Sequence, residues 1–502
     1  METAFGIGSP IFIQSTGRLN RIFAQASQTP SVAVRFREWQ RSWESVHGQD
    51  PARTPSGEEL FIRQTYVALL ARLTARRFLA PNRTNSSAEE LLEIINCDYF
   101  SRRGLANFGE GDIFSWVSLE PRWELGLEGL VVETMKGLSE ALARYDFAQA
   151  APGIMDGLYW QTVPDPAWPP PPRWLAEYIV GEELGLAKES ELSLLDPTCG
   201  TGVFMSASIQ TISRTMMEQG SDPFDILFGM PQLVQGMDRD PLAVALARLN
   251  YLLAMGDMVQ QEHPPILVPV YLADAVQVAE SYPALPRDVA VLVSTPGGEF
   301  PLPEPMIDNP MMLDWVLGRL TNYMDGAQLR LHVQSEDEAV QEVLNAYYNY
   351  LTAPKPRTPV PEALTSTQAD ILLETARSLV KLHIRGEGTF WLHMVQNNAA
   401  PEAFSRRRFD RLVASGLNPP FEMCSSMYLK PQGRAAMVMS GDEAEDNSVS
   451  RRLVVLEEVW PGAALLITGP EQRSRLESTG GPVSPNLSWS EAKSKVRVLA
   501  ND

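Results

Sequence analysis

Asp196-Pro197-Thr198-Cys199-Gly200-Thr201-Gly202 directly follows the apolar stretch Leu192 to Leu195 and precedes a helical apolar pattern from Val203 to Met217. A short buried strand, a turn with two glycines and a helix make the opening unit of a parallel α/β sheet. Gly200 and Gly202 allow a tight turn and close backbone approach by a ligand. The helix that follows presents free N–H groups and a positive dipole end to it. This is not the dinucleotide fingerprint. Its third glycine position is Met205, and the next acidic strand end comes about forty residues later, where that fingerprint expects about 20.

Outward from this unit the alternation continues. Leu233 to Met237 and Val268 to Leu272 read as strands flanking a helix from Leu242 to Ala254, and Asp288 to Val293 is expected as another strand. From about Pro301 to Gly388 the pattern turns helical, broken by Ala353-Pro354-Lys355-Pro356-Arg357-Thr358-Pro359, as an insertion would be. Strands resume at Phe409 to Ala414, Ala435 to Ser440, Leu453 to Leu456 and Ala463 to Ile467. On the N-terminal side, Gly57 to Asp146 is helical, with a long helix from Leu127 to Tyr145, and Pro164 to Pro172 is a stiff proline-rich connector. The expected divisions are an N-terminal helical domain (1–163), a cofactor half (164–300), a helical insertion (301–389), a catalytic half (390–470) and a loosely ordered polar tail (471–502).

Two further strand ends carry acids. The second ends in Gly236-Met237-Asp238-Arg239-Asp240-Pro241, where a carboxylate suits the hydroxyls of a ribose; the third ends in Leu272-Ala273-Asp274, where one could accept from an adenine amino group. Taken singly, these are a plain Gly turn, a helix N-cap at Asp240 and a solvated loop Asp. Their succession at the carboxyl ends of one sheet, where such sheets bind ligands, is what points to a site.

Asn418-Pro419-Pro420-Phe421 follows the Phe409 strand. The Asn side-chain oxygen and the carbonyl of the next Pro can both accept from one exocyclic amino group, drawing electron density onto its nitrogen, and the aromatic can stack on the ring that carries it. Two prolines make the loop stiff and leave it acceptors only. On its own such a tetrapeptide is more often an ordinary strand-exit turn.

Together these motifs resemble the N6-adenine DNA methyltransferases of the restriction-modification branch, with an N-terminal helical domain and cofactor motifs preceding the Asn-Pro-Pro-Phe motif. The likeness runs from about residue 58 to 460 and includes Phe409-Asp410-Arg411-Leu412-Val413 and Leu429-Lys430-Pro431-Gln432-Gly433-Arg434. It implies a Rossmann-like α/β methyltransferase sheet and S-adenosylmethionine as cofactor. Asp196, Pro197, Cys199, Gly200 and Gly202 would meet its methionine end, Asp238 its ribose and Asp274 its adenine, with Trp174 from the gating segment nearby. Asn418, Pro419, Pro420 and Phe421 would be catalytic, acting by alignment of an in-line methyl transfer without metal. Two departures stand out: Ser415-Gly416-Leu417 intervenes before Asn418, and Pro170-Pro171-Pro172-Arg173-Trp174 matches the gating segment only in Pro172 and Trp174.

Composition bounds the partners. The 502 residues are 44% hydrophobic and 21% charged, as in ordinary globular proteins, with a formal net charge of -20. Phosphate contacts supply much of nucleic-acid affinity, so this balance argues against a self-sufficient tight binder, and the chain is expected to borrow positive charge from a protein partner. The residues after Phe421 are expected to finish a methyltransferase sheet and not to form a target-recognition domain. DNA recognition is therefore expected in another subunit of a multi-protein restriction or phage-defence system. Arg406-Arg407-Arg408 and Arg411 flank the catalytic strand and are candidates for phosphate contact. Cys97, Cys199 and Cys424 are widely spaced, without zinc spacing to any His, and no signal-peptide pattern or bilayer-length apolar run is visible; a cytoplasmic protein is expected. Two other classes stay open: transfer to an RNA adenine or a protein glutamine, and a weakened methyltransferase fold used as a scaffold.

Overall fold

Leu194–Asp196 (β1) is an inner strand, third from one edge, of a nine-stranded sheet in this computed structural model. The structure describes residues 1–48, 57–83, 86–109, 113–118, 126–163, 171–283, 285–330, 335–353, 364–416, 421–446, 451–456, 460, 463–468, 472–479 and 483–500. The other strands are Val234–Asp238 (β2), Val270–Leu272 (β3), Phe409–Ser415 (β4), Leu429–Ser440 (β5), Arg451–Val455 (β6), Ala463–Thr468 (β7), Gln472–Ser478 (β8) and Val496–Ala500 (β9). Their spatial order is β9-β8-β6-β7-β5-β4-β1-β2-β3. From β3 to β5 all pairings are parallel, and β7 runs antiparallel to both β5 and β6. Strand order reverses between β1 and β4, which opens a crevice at their carboxyl ends.

Both faces of the sheet are buried, which explains the continuous apolar runs. Leu194, Val234, Val413 and Val438 pack into the main core on one face. Leu195, Met237, Leu412, Ala414 and Met437 form a second cluster on the other, with Phe404 and Tyr428. Alternate residues of β1 and β4 thus face opposite layers, as the two-residue period of a strand requires.

The N-terminal region is helical, with Pro10–Ala26 (α1), Pro30–His47 (α2), Gly57–Leu79 (α3) and Asp156–Thr162 (α4) among its elements. Every residue of α3 from Gln64 to Leu79 is buried, because other helices surround it, Pro241–Met255 among them. Val203–Glu218 (α5) and Pro241–Met255 (α6) follow β1 and β2. The stretch 241–260 is long and apolar enough to cross a membrane, yet 83% of that window is buried, as in a core helix. Asn107 stitches the helical region to the sheet: its amide donates to the carbonyls of Val268 and Val270 at 3.0 and 3.3 Å and accepts from Arg248 at 3.1 Å.

Two expectations change. The Asp288–Val293 strand forms as Ala290–Thr295, but in a separate antiparallel sheet with Glu280–Ser281 and Gly298–Pro303. It pairs there because Thr295-Pro296-Gly297-Gly298 makes a hairpin turn and hands the strand back on itself; Gly298 has φ 138°. The helices Pro310–Arg330, Glu336–Thr352 and Ser366–Leu382 then follow. The tail is also built in: β8 lies parallel to β6, β9 closes on β8, and Trp489 stacks on Trp174 at 6.4 Å. Its polar composition reflects edge strands with one wet face, not absence of structure. Lastly, the connector at 164–170 lies outside the described residues.

Candidate functional site

Asp196 ends β1 fully buried. One carboxylate oxygen accepts from the Thr198 amide at 3.3 Å; Oδ2 has no hydrogen-bond partner. Burial drives this carboxyl well above the ordinary range. The turn that follows is pinned from both sides. Cys199 N–H donates to the Met237 carbonyl at 3.0 Å, and the Thr198 hydroxyl donates to the Ser415 carbonyl at 3.2 Å, joining the loop to β2 and to the end of β4.

The two glycines serve different ends. Gly200, at φ 52°, faces open space, and its N–H donates to Asp238 Oδ2 at 2.8 Å. Gly202, at φ 87°, lies so close to α6 that an added Cβ would sit 3.2 Å from that of Ala247. Open approach is required at the first, and helix contact at the second.

Asp238 ends β2. Its Oδ1 accepts from the Asp240 amide at 2.9 Å, so each oxygen takes one backbone N–H and keeps a second lone pair for a hydroxyl donor. Burial raises this carboxyl too. Asp240 caps α6, accepting from Leu242 and Ala243 at 2.8 and 3.2 Å. Asp274, just past β3, accepts from the Val276 amide at 3.1 Å and faces Arg239 at 3.7 Å.

These strand ends border one cleft of about 610 Å³, lined by Pro197, Thr198, Gly200, Asp238, Asp274 and Gly416 among others. Asp196 and Cys199 are buried and do not line it. Asn418, Pro419 and Pro420 lie outside the described residues, and Phe421 is described only as the first residue of the helix Phe421–Tyr428. The flanks of that segment, Gly416 on one side and Met423 on the other, both line the cleft.

Not every candidate converges. Trp174 is buried against Trp489 and does not line the cleft. The arginines lie elsewhere as well. Arg406, Arg407 and Arg408 precede β4, and a seven-residue strand puts its two ends about 20 Å apart. Arg406 is held by Glu402 at 2.8 Å and Arg407 by Gln232 and Gln235 at 3.0 and 3.1 Å, at the far edge from the cleft. Arg411 is buried and donates to the Leu184 carbonyl. Adjacency in sequence misled because a strand separates its termini. Conversely, Val46 and Tyr159, from the N-terminal helices, line the cleft and carry no motif that would have marked them.

No family model matches the chain, and no curated protein matches it in sequence. Among solved structures it is similar to the ATP-dependent Type ISP restriction-modification enzyme LlaBIII bound to DNA, at 10% identity and TM-score 0.40, over 97% of this chain and 31% of that one. It is also similar to a modification subunit of a putative type I restriction enzyme from Vibrio vulnificus YJ016, at 11% identity and TM-score 0.36, over 94% and 92%. A third is the type I restriction-modification system methyltransferase subunit from Streptococcus thermophilus, at 12% identity and TM-score 0.31, over 93% and 95%. The chain spans less than half the length of the first of these.

Proposed function

We propose that this chain is an S-adenosylmethionine-dependent methyltransferase acting on the N6 amino group of adenine in DNA, as the modification subunit of a cytoplasmic multi-protein restriction or phage-defence system. The observation that carries the reading is the convergence on one cleft of the Gly200 turn, Asp238, Asp274 and both flanks of the Asn418 segment. The strand order and the antiparallel β7 support it, as the sheet expected from the sequence resemblance. The residues present fit the cofactor. Asp196 offers a buried carboxylate oxygen without a partner, suited to an ammonium; Asp238 offers free lone pairs to ribose hydroxyls; Asp274 can accept from an adenine amino group. When bound, the sulfonium supplies an electrophilic methyl group. The protein's part is alignment: Asn418 and Pro419 would accept from the target amino group, and Phe421 would receive the flipped base.

With a net charge of -20, DNA affinity is assigned to a partner that contributes basic surface. The test is calorimetry of the full chain with S-adenosylhomocysteine, followed by nucleoside mass spectrometry of duplex DNA treated with S-adenosylmethionine and the partner subunits. Binding, and N6-methyladenine that vanishes in Asn418→Ala, is the expected result. A chain that fails to bind the cofactor product even in its intact complex overturns the reading. A scaffold would then be favoured, consistent with the withdrawal of Trp174 from the cleft.

A further inference from the structure

The carboxyl end of α2, from the N-terminal helical region, reaches the cofactor loop with three consecutive residues. The Ser45 hydroxyl accepts from Arg239 at 3.3 Å. Val46 lines the cleft. His47 Nε2 lies 3.7 Å from Asp240 Oδ2, and its ring packs on Trp43 with centroids 3.9 Å apart. Arg239 in turn faces Asp274 at 3.7 Å, so one guanidinium spans α2 and the third strand end. A cation at the end of a helix also meets the negative end of its dipole.

The helix itself is firmly seated. Trp39 donates to Gln64 of α3 at 2.7 Å. Arg35 stacks over the Phe390 ring at 5.0 Å, and the Pro30 ring lies against Gly386, where an added Cβ would come within 3.3 Å. A rigid rod anchored along its length and ending on a loop can hold that loop in one position. All three residues at 238–240 line the cleft, and of them Arg239 and Asp240 are also approached from α2.

We infer that the last turn of α2 is a built part of the cofactor site: Val46 walls the nucleoside subsite, and Ser45 and His47 are positioning residues that latch the 238–240 loop so that Asp238 meets ribose hydroxyls. This rests on the cofactor reading above and extends it by making the N-terminal helices part of the nucleoside pocket. The latch does not depend on a ligand for its test.

Hydrogen exchange of the ligand-free full chain, wild type against Ser45→Ala/His47→Ala, reads the latch directly. Amides of 239–243 are expected to exchange about fivefold faster, with the thermal midpoint and the exchange of α3 unchanged. Unaltered exchange at 239–243 overturns the latch. The wall is read by Val46→Trp, which fills the cleft from an otherwise intact helix. Its affinity for S-adenosylhomocysteine is expected to fall about tenfold while 239–243 exchange as in wild type. Affinity equal to wild type overturns the wall. Failure of the wild type itself to bind refutes the cofactor reading instead, and the exchange result still decides the latch.

Discussion

The Tyr159 hydroxyl donates to Asp240 Oδ2 at 2.8 Å, while the other oxygen of the same carboxylate caps α6. One side chain thus joins the last helix of the N-terminal region to the helix behind the cofactor loop. Tyr159→Phe removes a buried hydrogen bond to a charged acceptor and should cost about 2 kcal/mol in denaturant unfolding. Burial, then the nearby carboxylates, hold this phenol well above its usual range, so it stays protonated and the loss should not vary between pH 6 and 9. A change below about 0.5 kcal/mol would mean the bond contributes little.

The two glycines of the turn should separate experimentally. Gly202→Ala combines positive φ with a Cβ 3.2 Å from that of Ala247, and should destabilise the chain by about 3 kcal/mol. Gly200→Ala has the strained backbone without the clash and should cost about 1 kcal/mol. Its methyl group would instead meet the ligand, so it should weaken S-adenosylhomocysteine binding more than it lowers the melting temperature.

Asp156 gives a pH test. Burial, only partly opposed by hydrogen bonds from Thr201 and Asn250, pushes its carboxyl up to about 6. The folded carboxyl therefore holds its proton at pH values where the unfolded one, near 3.9, has lost it. Its stabilising contribution is complete below about pH 4 and is lost as pH rises towards 6. Asp156→Asn should flatten that slope and leave the chain about 1–3 kcal/mol more stable at pH 7. Urea midpoints across pH 4 to 8 check it; parallel curves for wild type and variant would count against it.

Arg407 is tied to Gln232 and Gln235 and lies over the Phe409 ring at 5.2 Å. Arg407→Ala should lower stability by about 1 kcal/mol and leave the salt dependence of DNA binding by the intact complex unaltered. A drop of about one in the slope of log affinity against log salt would show instead that the side chain reaches phosphate.

Legibility followed the range of the interactions involved. Strand ends with Asp196, Asp238 and Asp274 could be found from local patterns, since each is an apolar run stopped by an acid and a turn. The polar tail could not, because 472–478 becomes a strand only on the edge that β6 offers, and 496–500 only on the edge of β8. Trp174 looked like a cofactor residue until Trp489, more than three hundred positions away, took its face. Arg406 to Arg408 looked close to the site because sequence counts residues and not the direction in which a strand runs.

The sequence by itself determined the alternating α/β order, the two-glycine turn and the acids at three strand ends, all properties of a few consecutive residues. Only the tertiary structure decided that β4 inserts beside β1, so that Gly416, at the end of β4, lines the same cleft as Gly200. It alone brought Val46 and Tyr159 from the N-terminal helices onto the same cleft, and His47 beside Asp240. The physical reason is that strand pairing and helix docking are chosen by burial of apolar faces between distant segments, and a single stretch of chain carries no record of which partner will cover it.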